Sequence, residues 1–225
     1  MRLIRYSIDR ATIILLVELS YNNMSLKNAK INFLVDMATD LFMARSINEV
    51  TIRDIAVAAQ VGEATIYRTF GSKQNIVVQA AMKLQTIVSD EFFKLEKGKT
   101  GYEKLALFYQ SYYEIFLKYP NFYKFLNEFD AFVSLVQNEN QTPYESAIEV
   151  YEEHYMKAYE LGVNDGSVKP QKDIKLFYFS TTHALLELCK KLAFKKAVLK
   201  QDMHIEKNSE IKVLIDVILT SLNNL

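Results

Sequence analysis

The chain has 225 residues, with 27 basic and 27 acidic side chains, and half of its residues are hydrophobic. That balance excludes a disordered chain, which could not bury enough apolar surface to offset its ordering entropy. Zero net charge confines any nucleic-acid surface to a local patch, and six Gly with three Pro are too few for the turns of a doubly wound or barrel fold, so an all-α fold is expected.

One Cys, Cys189, excludes a disulfide framework and a thiolate metal cluster. His154, His183 and His204 have no metal-ligand spacing, and no cofactor or metal is expected. No apolar run approaches the ~20 residues that span a bilayer, so a cytoplasmic protein without a membrane partner is expected. At the N-terminus, Arg2, Arg5 and Arg10 precede the apolar stretch 11–17, which is short, broken by Glu18 and followed by a poor cleavage site. Residues 1–26 therefore read as an extension, either an extra helix or the product of a start upstream of Met24.

Helical periodicity is clear from Leu26 onward. Ile31, Leu34, Val35, Ala38, Leu41 and Phe42 stripe a helix over about 27–44. Thr51 caps a short helix with Ile52, Ile55, Ala56 and Ala59 on one side. A turn at Gln60-Val61-Gly62 leads to a second short helix, Glu63 to Phe70, and Ser72 caps a long one from Lys73 to about Lys97. The stretch 97–101 is the predicted domain boundary. Its Gly98-Lys99-Thr100 mimics the end of a phosphate-binding loop, but Phe93 stands where that motif needs Gly and no strand precedes it.

Further helices are predicted over about 101–118, from Pro120, from Pro143 to about Leu161, over 173–196 and over 208–222, with a polar loop at 138–142 and a turn from Gly162 to Gly166. The resulting division is an extension (1–26), a small helical unit (27–73), a connecting helix (74–100) and a larger helical half (101–225).

Two short helices joined by a three-residue turn read as a helix-turn-helix. The residues Thr51-Ile52-Arg53-Asp54-Ile55-Ala56, Ala59-Gln60-Val61-Gly62 and Thr65-Ile66-Tyr67-Arg68-Thr69-Phe70-Gly71-Ser72-Lys73 resemble the tetracycline-repressor (TetR) family of transcriptional regulators over about 28–85. The resemblance implies an N-terminal half that binds operator DNA and a C-terminal half that binds a small effector and dimerises. It implies DNA contacts from Thr51 and Arg53, from Glu63, Ala64 and Thr65 at the start of the recognition helix, and from Tyr67, Arg68, Thr69 and Lys73. A phenol, a guanidinium and an ammonium all donate to phosphate oxygens. Three residues depart from the family pattern: Gln60 replaces the turn Gly, Gly62 replaces a Ser or Thr cap, and Thr69 replaces a His or Tyr.

Twelve of the 28 Phe and Tyr lie between Tyr102 and Phe132, far above the share of that segment in the length. Buried Tyr needs a partner for its hydroxyl. Tyr109, Tyr112, Tyr113, Phe116, Phe125, Phe129, Tyr151, Tyr155 and His183 are therefore candidates for the wall of an effector cavity. The last helix is apolar on too many sides for a surface helix. Leu185, Leu188, Leu192, Ile211, Leu214, Ile215 and Ile218 are the candidate faces of a four-helix homodimer interface.

The leading reading is a dimeric, ligand-responsive repressor of near-palindromic operators, released by an apolar or aromatic effector. A DNA-binding adaptor without a ligand is the alternative. An enzyme is disfavoured, since no nucleophile–base pair, metal set or phosphate loop is present in the sequence.

Overall fold

The computed structural model describes the backbone of residues 10–134, 142–194 and 207–224, and the side chains of 25–132, 148–194 and 208–224. Within these the chain is helical, without a strand beyond one isolated antiparallel bridge between Val168 and Asn223. Of the expected loop at 138–142, Thr142 is already helical; residues 138–141, the end of the 173–196 helix, and Arg2, Arg5 and His204 lie outside the described residues.

The first helix, α1, runs Arg10–Ala44, well upstream of the expected 27–44. Leu34, Val35, Ala38 and Phe42 form its buried stripe. It packs on α2 (Ile52–Ala58) and α4 (Lys73–Phe92), α3 (Glu63–Phe70) packs on those two, and Ile47, Ile55, Ile66 and Ile76 are fully buried in this unit. Gln60, in the turn before α3, has φ +54°, the left-handed region that disfavours a residue with a Cβ.

Helix α4 stops at Phe92 instead of reaching Lys97. Phe93 leaves the helix and turns its ring onto Phe108 (5.4 Å between centroids) and Tyr151 (4.7 Å). The freed carbonyls are satisfied from outside the helix: Ser111 donates to Phe92 O at 2.9 Å and Lys104 to Leu95 O at 2.9 Å. A single 3-10 turn, Leu95–Lys97, follows.

The larger half is built around α5 (Gly101–Lys118), flanked by α6 (Pro120–Ser134), α7 (Thr142–Asn164), α8 (Ile174–Ala193) and α9 (Lys207–Leu222). Thr100 opens α5 with a reciprocal capping box to Glu103. Gly162 does not end α7, which continues to Asn164. A Cβ on Gly101 would stand 2.0 Å from Gly162 N, so these two glycines let α5 and α7 cross in backbone contact.

Two stability outcomes follow in urea titrations. Gly101→Ala forces the crossing apart and should cost about 3 kcal/mol. Gln60→Gly relieves the left-handed turn and should gain about 1 kcal/mol. An unchanged midpoint for Gly101→Ala would show that the helix crossing yields at no cost.

Candidate nucleic-acid interface and effector cavity

Thr51 begins α2 as a cap. Its Oγ accepts from Asp54 N at 3.1 Å and donates to Asp54 Oδ2 at 2.7 Å, while Thr51 N donates to the same oxygen at 2.7 Å. These Thr51 bonds, with a weaker contribution from Arg45, hold the Asp54 carboxyl below its ordinary range. The Thr51 hydroxyl proton is thus committed within the helix cap.

Helix α3 turns Ile66 and Phe70 into the core and leaves Glu63, Ala64, Tyr67 and Arg68 exposed on one side. Thr65 and Thr69 are half-buried, and the Thr69 hydroxyl donates back to Thr65 O at 2.8 Å. Arg53 and Arg68 are exposed and make no ion pair among the described residues. Lys73, at the start of α4, donates from Nζ to Ile47 O at 2.5 Å. Burial lowers its pKa from the usual ammonium range, opposed in part by Asp54. An ammonium has three donors, so two remain for a phosphate. The arrangement offers a helix of major-groove dimensions with unpaired cations and a phenol beside it.

A cavity of about 240 Å³ opens in the larger half, between α4, α5, α6, α7 and α8. Of the residues expected there, Tyr112, Tyr151 and His183 line it. Tyr109 and Tyr155 sit deeper in the core: their hydroxyls are 3.0 Å apart, and Tyr109 also bonds Thr181 at 2.7 Å. Phe116 packs against Tyr123, Phe125 stacks on Phe129 and reaches Phe42 of α1, and Tyr113 lies under the Lys212 ammonium on the α9 side.

The sequence reading missed Phe93, Tyr178, Thr182, Leu186, Asp130 and Lys190, which also line the cavity. The signal was present on α8: residues 178, 182, 186 and 190 recur every four positions, mixing apolar and polar types on one face. Lys190 is almost wholly buried and contacts both Asp130 and Glu187. Burial alone would lower its pKa; the hydrogen bonds to those carboxylates outweigh it and hold the ammonium above its usual range.

Of the candidate interface residues, Leu185, Leu192, Ile211, Ile215 and Ile218 are buried inside the single chain, and Leu188 and Leu214 pack on the same core. The outward residues of α8 and α9 are Leu176, Phe179, Val213 and Val217. Among the described residues no group of His, Cys, Asp and Glu could hold a metal, and no helix is long and apolar enough to cross a membrane.

A helix-turn-helix is joined to a larger all-helical half, and comparison with known proteins finds the same arrangement. Residues 34–80 match the model for bacterial regulatory proteins of the tetR family. The HTH-type transcriptional repressor KstR2 of Rhodococcus jostii (strain RHA1) is 29% identical over 157 residues, covering 68% of this chain and 74% of the relative. Among solved structures, the ketosteroid transcriptional regulator KstR2 of Mycobacterium tuberculosis superposes with a TM-score of 0.59 at 14% identity, covering 85% of this chain and 94% of that one. A transcriptional regulator from Saccharomonospora viridis in complex with choline gives 0.68 at 18% identity, covering 88% and 99%. The family match thus covers the helix-turn-helix unit, and the solved structures share the fold of the larger helical half as well.

The Tyr109 hydroxyl carries a pH signature. Burial pushes it up to about 12, against the lowering effect of its bonds to Thr181 and Tyr155. The folded state keeps a proton that the unfolded chain releases near pH ~10. Its contribution to stability is whole below that pH and is lost as pH rises through the folded value. Tyr109→Phe should therefore flatten the loss of denaturant stability between about pH 10 and 12; an unaltered slope would place the alkaline sensitivity elsewhere.

Proposed function

We propose that the protein is a ligand-responsive repressor that binds near-palindromic operator DNA as a homodimer and is released by a small apolar or aromatic effector. The observation that carries this reading is the position of α6, which serves both halves. One side contributes Phe122, Tyr123, Leu126 and Asp130 to the cavity. The other holds the helix-turn-helix: Glu128 accepts from Ile47 N at 2.6 Å, and Asn121 donates to Met43 O at 3.1 Å. Ile47 O in turn receives the Lys73 ammonium. An effector that shifts α6 moves the loop preceding α2 and the lysine beside the recognition helix together. It can shift the equilibrium only by its differential affinity for the two positions.

The DNA surface of one chain is sparse. Its basic side chains Arg53, Arg68 and Lys73 share the unit with the carboxylates Asp54 and Glu63, and Asp54 acts electrostatically on Lys73. Useful affinity then comes from two recognition helices about 34–36 Å apart on a two-fold site. The exposed apolar residues of α8 and α9 support dimerisation through that pair, with Leu176, Val213 and Val217 on the shared face. The relationship to a named repressor supports repression over activation. A regulator of this kind acts where the operator DNA is, in the cytoplasm.

Genome-wide operator mapping, followed by anisotropy titrations on the recovered sites, tests the reading. Lys73→Ala should weaken all sequences alike and reduce the salt slope by roughly one per chain, whereas Arg68→Ala should alter base preference if it reads an edge. Unchanged operator affinity in the Tyr67→Phe, Lys73→Ala double variant would remove the interface assignment. Glu128→Ala should leave effector binding intact while blunting effector-driven release. Val213→Glu with Val217→Glu should sediment as a folded monomer, while Ile215→Glu, inside the single chain, should fail to fold stably. A dimer that persists in the double Val variant places the interface elsewhere.

A further inference from the structure

The polar groups of the cavity specify more than an apolar ligand. Its charges are already paired: the Lys190 ammonium is contacted by Asp130 and Glu187, so neither a free cation nor a free carboxylate faces the cavity from that cluster. Two phenols are in the opposite condition. Tyr112 and Tyr178 line the cavity, and their hydroxyls make no hydrogen bond among the described residues. Tyr123 donates to Tyr112 O and Tyr151 to Gln85, so the other two phenols on the wall are occupied. Burial raises the pKa of both Tyr112 and Tyr178, which keeps each a donor at any physiological pH.

Size restricts the ligand further. A dry cavity of roughly 150 Å³ holds one benzene, and this one measures about 240 Å³. One ring with a short chain, or two fused rings, matches this volume. The walls suit a flat molecule, with Phe93 against Tyr112 at 6.1 Å and against Tyr151 at 4.7 Å.

Building on the regulator reading above, we infer that the effector is a neutral, one- or two-ring aromatic compound bearing a carbonyl-type acceptor, held by the hydroxyls of Tyr112 and Tyr178. A fixed cation is disfavoured because Asp130 is neutralised by Lys190, and an anion because two carboxylates already surround that lysine. A hydrocarbon of the same shape leaves both phenols buried without a partner, which a site built to hydrogen-bond rejects.

Isothermal titration calorimetry on the full chain tests this with five probes: 2-acetylnaphthalene, 2-isopropylnaphthalene, 2-naphthoate, (2-naphthylmethyl)trimethylammonium and androst-4-ene-3,17-dione. The ketone should bind one per chain, about tenfold tighter than the isopropyl compound of matching shape, the worth of one well-made hydrogen bond. In the Tyr112→Phe, Tyr178→Phe variant the ketone and the hydrocarbon should bind within about twofold of each other. Leu186→Trp fills the cavity and should abolish both; if it does not fold, Leu126→Phe takes its place. The inference is overturned if 2-acetylnaphthalene shows no binding at millimolar concentration, if the hydrocarbon binds equally well, or if the anion, the cation or the four-ring ketone binds more tightly. Calorimetry does not depend on DNA, so a failed operator measurement would overturn the regulator reading and leave this result standing on its own.

Discussion

Helix α6 is the member on which the two halves of the molecule jointly depend. Phe125 turns from it toward Phe42 of α1, with ring centroids 6.4 Å apart, and Glu128 holds the Ile47 amide that precedes the helix-turn-helix. Residues 122, 123, 126 and 130 of the same helix face the cavity. The carboxylate–amide bond joins groups 81 residues apart and is charge-assisted, the stronger class of hydrogen bond. Packed interiors are stiff and transmit strain, and α6 is the element through which the proposed effector would act on the helix-turn-helix.

The same economy shapes the helix-turn-helix. Thr51, Asp54 and Thr69 spend their polar groups on caps and on the helix backbone, which stabilises two helices too short to persist alone. Tyr67, Arg68 and Arg53 are left free to face outward. Lys73 stands between these roles, one donor fixed on Ile47 O and the others available. Its position is therefore set by the loop that α6 holds, and the loop is tied to the cavity by the carboxylate of Glu128.

In the larger half, aromatic density served two purposes that the sequence could not separate. Tyr109 and Tyr155 satisfy each other and build core, whereas the Tyr112 and Tyr178 hydroxyls on the cavity wall have no partner among the described residues. On α8, Leu185 and Leu192 read as an interface stripe but point into their own chain, because the helix is covered on that side by α5, α6 and α9. Likewise, Gly162 reads as a stop, yet it lies inside α7, where its missing side chain admits the backbone of Gly101.

The sequence by itself determined the all-helical class and the helix-turn-helix with its caps. These depend on local physics: a period of 3.6, a cap three residues from its partner, a turn of fixed length. The tertiary structure alone decided which aromatic rings bound a cavity and which fill the core, where α4 ends, which faces of α8 and α9 look outward, and that Glu128 reaches Ile47. Each of those depends on contacts between residues distant in the chain. Helical periodicity states only that a face is buried, and the partner that covers it is chosen when the helices pack.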